Sequence, residues 1–162
     1  MTYFVTGATG FIGGHLVHKL LERKGTVYCL VRKESASKFE ALRERLGADA
    51  KRLVAVTGDL AKPRLGVSAQ AAAQLNGKIK HVFHLAALYD IAVSAEQQVA
   101  ANVDGTRNAL AFADSVKAGT FHHVSSIAAA GLYQGVFRED MFDEAENLDD
   151  PYFRTKHDAE AL

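Results

Sequence analysis

The sequence predicts an α/β fold: a doubly wound parallel sheet with strand order 3-2-1-4-5 and helices on both faces. Three observations carry this. Runs rich in β-forming residues alternate with runs of helical periodicity along the chain. The β runs are apolar on both faces, as in Val27-Tyr-Cys-Leu-Val31, which suits strands covered from both sides. The two prolines, Pro63 and Pro151, both fall outside those runs. Right-handed crossovers then fix the strand order.

Residues 2–6 form a short β run that Gly7 stops. Over 11–24, Ile12, Leu16, Val17, Leu20 and Leu21 recur at helical spacing and mark one buried face. Gly25 is expected to end that helix in the left-handed position just past its last turn. A second strand covers 26–31. A helix over 35–46 presents Phe39, Leu42 and Leu46, and Gly47 ends it. The third strand is expected at 53–57 and the fourth at 79–85. Between them, 63–76 reads as an irregular connection with a short helix through 69–75. Residues 95–117 read as one helix, 120–125 as the fifth strand, and 130–150 as a long loop. Seven of the twelve residues at 139–150 are acidic, which reads as a solvated loop ahead of a substrate-selecting one. Tyr152 opens or lies within a last helix.

Composition bounds the function. A chain of 162 residues is one domain in size, spanning 1–162. Nineteen basic residues balance nineteen acidic ones, so neither nucleic acid nor an anionic membrane surface is an expected partner. Cys29 is the single cysteine, which excludes an internal disulfide and a cysteine-based metal site. Neighbouring His122 and His123 face opposite sides of a strand, against a shared metal. With no signal peptide or transmembrane run in view, the expected location is cytoplasmic.

Gly7, Gly10 and Gly13 lie between the first strand and the first helix. In that setting Gly7 permits a tight turn and Gly10 lets a pyrophosphate approach the backbone. Gly13 lets the helix lie close to the sheet. Thr9, Phe11 and Ile12 belong to the same loop and helix start, whose N–H groups hold the anion. At the end of the second strand an acidic residue would accept bonds from a ribose 2′-hydroxyl. This chain has Val31-Arg-Lys33 there. A cation cannot accept those bonds, but Arg32 can pair with a 2′-phosphate. The expected cofactor is NADP(H) in preference to NAD(H). Asp59 and Leu60 follow the third strand. Asp59 either accepts from an adenine amino group or caps the following turn. His84-Leu-Ala-Ala87 closes the fourth strand, and the small Ala86 and Ala87 keep a path open for the cofactor. His84 is read as packed rather than catalytic.

Tyr152 and Lys156 are four residues apart and share a helical face. The ammonium favours phenolate, which equips Tyr152 to move a proton. Ser126, at the end of strand five, is placed to hydrogen-bond a substrate carbonyl oxygen.

These segments together resemble the extended short-chain dehydrogenase/reductase family, built on the Rossmann fold. The residues that carry the resemblance are Thr6-Gly-Ala-Thr-Gly-Phe-Ile-Gly13, Gly58-Asp-Leu60, His84-Leu-Ala-Ala87, Asn102-Val-Asp-Gly-Thr106, Val124-Ser-Ser126 and Tyr152-Phe-Arg-Thr-Lys156. They run in the family's order over nearly the whole chain. The resemblance implies that Tyr152 is the acid/base and that Lys156 tunes it and holds the nicotinamide ribose. It implies that Ser126, rather than Ser125, orients the carbonyl, and that Asn102 is mainly structural. Leu30-Val-Arg32 and Gly58 through Ser68 look like the thioester-reductase and fatty-acyl-CoA-reductase branch, which uses NADPH to reduce activated acyl groups. Family members are about twice this length. Further strands and a small carboxy-terminal substrate domain are therefore expected beyond residue 162, and the 162 residues alone are expected to be inactive.

The resulting expectation is an NADPH-dependent reductase of a carbonyl or acyl thioester. Two alternatives stand beside it. One is a nucleotide-sugar epimerase or dehydratase with a tightly held NAD. The other is a non-catalytic dinucleotide-binding module, which has no use for Tyr152 and Lys156. Association into a homo-oligomer is left open.

Overall fold

The computed structural model describes residues 1–89 and 92–162. Its five strands are β1 (Thr2–Thr6), β2 (Thr26–Val31), β3 (Leu53–Thr57), β4 (His81–His84) and β5 (Thr120–His123). All pair in parallel, in the order β3-β2-β1-β4-β5. The helices are α1 (Phe11–Glu22), α2 (Ala36–Leu46), α3 (Ala69–Leu75), α4 (Ala95–Gln98), α5 (Gly105–Ser115) and α6 (Pro151–Glu160). Among the described residues no helix is long and apolar enough to cross a membrane.

Alternation along β1 divides the core in two. Tyr3 and Val5 pack with Val17, Leu21, Phe39 and Leu42 of α1 and α2. Phe4 points the other way, against Ile79, Phe112 and Val116. Its ring meets that of Phe112 with centroids 4.6 Å apart. Each strand residue thus serves one layer, which is why the strands read as apolar on both faces.

Several boundaries differ from expectation, and β4 begins at His81 rather than at residue 79. The end of α1 is taken by Lys24, at φ 55°, not by Gly25. Gly25 is needed where the chain passes the start of β1, since a Cβ there would lie 2.3 Å from the Met1 carbonyl. β4 stops at His84 and β5 at His123, because side chains take over the backbone groups beyond them. Thr6 Oγ1 accepts the Ala86 N–H, and Lys156 Nζ donates to the Val124 carbonyl. The helix expected over 95–117 is interrupted by a wider π turn at Val99–Asp104.

The 130–150 loop is tied back at both ends. Gly131 pairs with Glu146, and the Phe142 ring stacks on His157 of α6 at 4.1 Å. Asp150 starts α6: its carboxylate accepts the Tyr152 N–H at 2.8 Å, and Pro151 supplies the first helical residue.

Candidate dinucleotide cleft and acid–base pair

All five strands point their carboxyl ends at one edge, with Thr6 beside His84, Val31 beside Thr57 and His84 beside His123. The loops that leave that edge carry the predicted site. They enclose a cleft of about 520 Å³ lined by Gly7, Thr9, Gly10, Arg32, Asp59, Leu60, Ala86 and Ala87.

The glycines act differently. Gly7 adopts φ +74°, and a Cβ on it would sit 2.8 Å from the Ala86 nitrogen. A Cβ on Gly13 would sit 2.1 Å from the Gly7 carbonyl oxygen, so Gly13 closes the loop onto its own helix and does not line the cleft. A Cβ on Gly10 would meet only the Gly7 carbonyl oxygen, at 3.3 Å, and would otherwise fill cleft space. Gly10 is also the residue before α1, and no side chain caps that helix end. The N–H groups of the first turn, which starts beside Gly10 at the cleft, therefore lack intrahelical acceptors. Phe11 and Ile12 stand on that turn, 84% and 61% exposed, outside the cleft lining.

Arg32 is exposed at the far end of the cleft, and among the described residues no carboxylate pairs with it. Lys33 does not line the cleft, whereas Ser35 does, its N–H bonded to the Arg32 carbonyl. One Asp59 oxygen accepts the Ala61 N–H at 3.0 Å, so this carboxylate does cap its turn. Sequence reading missed Ser35 and the wall formed by Gln97, Ala100 and Ala101. That wall comes from residues far along the chain with no chemical signature of their own.

The candidate acid–base residues, Tyr152 and Lys156, lie at the same edge but outside this cleft. Lys156 is 3% exposed, and its Nζ donates to the Val124 carbonyl at 3.1 Å. Burial lowers its pKa, opposed by Glu160. Tyr152 is half-buried, one turn earlier on α6, with its ring edge-on to Tyr89 at 4.7 Å. Ser126 Oγ accepts the Ala128 N–H at 3.2 Å, which leaves the hydroxyl proton free to be donated. Ser126 also borders a second hollow of about 480 Å³, lined by Ile127, Tyr133, Phe137 and Met141. Ser125 Oγ is buried with no hydrogen-bond partner among the described residues.

His84 is packed, as its place in a strand implies. Thr6 Oγ1 lies 2.8 Å from its Nδ1 and Thr106 Oγ1 lies 3.0 Å from its Nε2. Burial is the main reason that its pKa falls to about 3, helped by His123 and Lys156. His122 and His123 do face opposite sides: His122 bonds His81, while His123 stacks on His84.

The chain is similar to several known proteins. The L-2-aminoadipate reductase large subunit of Penicillium chrysogenum is 36% identical over 79% of this chain and 10% of its own length. A putative fatty acyl-CoA reductase of Drosophila melanogaster is 31% identical over 89% of this chain and 31% of its own. The crystal structure of the terminal R domain from the myxalamid PKS-NRPS biosynthetic pathway superposes with a TM-score of 0.85 at 33% identity. It covers 99% of this chain and 44% of that one. The chain thus spans less than a third of each of these two curated relatives. Residues 5–162 match the NAD-binding family described as Male sterility protein. The chain belongs to that family, within the extended short-chain dehydrogenase/reductases to which its motifs point.

Proposed function

We propose that this chain supplies the dinucleotide site and the acid–base pair of an NADPH-dependent reductase of acyl thioesters or carbonyl compounds. One observation carries the reading. A glycine whose missing side chain leaves cleft space, an uncapped helix N-terminus and an arginine with no carboxylate partner among the described residues line up along one cleft, at the same sheet edge as a buried lysine one turn from a tyrosine.

The residues fit the cofactor. The first turn of α1 binds the pyrophosphate through backbone N–H groups, and Gly10 leaves room for it. Arg32, with Ser35, binds the 2′-phosphate. Asp59, one oxygen engaged in its turn, offers the other to the adenine amino group. Leu60, Ala86 and Ala87 give an apolar wall. NADPH, when bound, supplies the hydride. Ser126 donates a hydrogen bond to the carbonyl oxygen of the substrate and keeps its own proton. Tyr152 delivers its phenolic proton to that oxygen as negative charge develops there. Lys156, fixed by the Val124 carbonyl, keeps a positive charge beside the phenol and binds the ribose hydroxyls.

The names of the relatives, an aminoadipate reductase and a fatty acyl-CoA reductase, support an activated acyl substrate over a nucleotide sugar. The test is NADPH oxidation by the protein at its full native length against an acyl-CoA and a ketone panel. Stoichiometric oxidation with an acyl-CoA is expected. Turnover of a nucleotide sugar without net NADPH consumption would favour the epimerase, and cofactor binding with no turnover the binding module.

A further inference from the structure

The buried polar residues form one connected seam. Thr6, His84, Asn102, Thr106 and Thr155 are each no more than 2% exposed. Hydrogen bonds join all five. Their directions follow from the two ends. The Ala86 N–H donates to Thr6 Oγ1 at 3.2 Å, so the Thr6 proton is directed to His84 Nδ1. The Thr106 hydroxyl donates to the Asn102 carbonyl at 2.6 Å, so toward His84 Nε2 it offers only a lone pair. Nε2 therefore carries the imidazole proton and Nδ1 accepts, and the ring is neutral. Asn102 continues the seam. Its Oδ1 accepts the Leu88 N–H at 2.7 Å, and its Nδ2 donates to the Leu88 carbonyl and to Thr155 Oγ1, both at 3.1 Å. The Thr155 hydroxyl donates to the Tyr152 carbonyl at 3.1 Å.

We propose that this seam is a positioning device, with His84 and Thr155 as positioning residues that hold the cleft wall at Ala86–Leu88 in register with the helix bearing Tyr152 and Lys156. The inference rests on the reading of that pair as the acid–base group. Packing alone would stabilise the fold, but hydrogen bonds with fixed directions also set orientation. The cleft and Tyr152 come from separate segments, and a displacement near 1 Å between them is costly to turnover.

Thr155→Val keeps the shape and removes the hydroxyl. It is expected to lower kcat by about 10–100-fold while NADPH affinity stays within about twofold, and Thr155→Ser should restore most of the loss. A Thr155→Val protein with wild-type kcat, or a loss that Thr155→Ser does not rescue, would overturn the proposal. A second measurement needs neither variant nor turnover. In ¹⁵N NMR of the wild-type protein the His84 ring should show a protonated Nε2 and a bare Nδ1, unchanged between pH 5 and pH 8. An imidazolium or the opposite tautomer would break the seam at its centre. If the wild-type protein, tested at its full native length, oxidises no NADPH, the reading of the acid–base pair fails. NADPH binding to His84→Phe then decides the seam: weakened binding supports it, and unchanged binding overturns it.

Discussion

The two halves of the sheet's carboxyl edge are built in opposite ways. Around β1 and β2 the cleft is made by what is missing: side chains absent at Gly7 and Gly10, a helix end left uncapped, a guanidinium with no carboxylate partner among the described residues. Around β4, β5 and α6 the site is made by what is filled: buried threonines, a histidine, an asparagine and a lysine, each bonded to a distant segment. The difference follows from the two tasks. A pyrophosphate needs room and backbone donors. A proton donor needs one fixed orientation, and directional bonds in a low-dielectric interior give it.

The sharpest way to break this contrast is within the glycine loop. Gly10→Val should weaken NADPH binding by about 100-fold, the upper end of what overpacking costs, and leave the melting temperature nearly unchanged. Gly13→Val should do the reverse and lower stability by about 3 kcal/mol or more, because its Cβ collides with the Gly7 carbonyl. Thermal melts and NADPH titration of both variants check this. Equal stability losses would mean that Gly10, too, serves packing.

Arg32 tests the open half next. Losing a charge-assisted phosphate contact costs about 1.5–3 kcal/mol, so Arg32→Ala should lower NADPH affinity by about 10–150-fold and leave NADH affinity alone. Isothermal titration with both dinucleotides separates the outcomes, and parallel losses for the two would remove the 2′-phosphate assignment.

The filled half should reveal itself through pH. His84 titrates near 6.5 when unfolded and near 3 in place. Between those values the unfolded chain binds the extra proton, so stability is full at pH 7 and drains away as pH falls below about 6.5. At pH 5 the loss from His84 alone is about 2 kcal/mol. Burial pushes His122 and His123 in the same direction. Urea unfolding at pH 7, 6 and 5 measures the slope, and His84→Phe should flatten it. The smallest effect expected is at Cys29, whose thiol burial pushes up to about 12. A thiol reagent at pH 8 should label it only after unfolding. Rapid labelling of the native protein would mean that the β2 core opens readily.

The same contrast explains what the sequence disclosed. The order of the sheet, the bounds of β1, β2 and β3 and the short helix at Ala69–Leu75 were all readable, because periodicity and turn residues are local signals. So was the glycine loop, seven residues long from Gly7 to Gly13. The seam was not. Its bonds join residues 78, 22 and 53 positions apart, and a buried threonine such as Thr106 or Thr155 looks in sequence like any other. The early ends of β4 and β5 were hidden for the same reason, since they depend on which distant side chain claims the next backbone group. Ser35 was passed over because only the turn after Arg32 brings it to the cleft.

The central claim is that binding of the dinucleotide's phosphates and proton transfer are lodged in separate halves of this edge. Tyr152→Phe tests it most directly, because it removes one hydroxyl and keeps the ring that packs on Tyr89. NADPH affinity and NADPH oxidation with an acyl-CoA are measured on the wild-type and variant proteins side by side, both at full native length. The account predicts affinity within about twofold of wild type and turnover lower by about 10²–10⁴-fold, the usual share of general acid–base catalysis. A variant that turns over as fast as wild type, or that loses NADPH affinity in proportion to turnover, would contradict it.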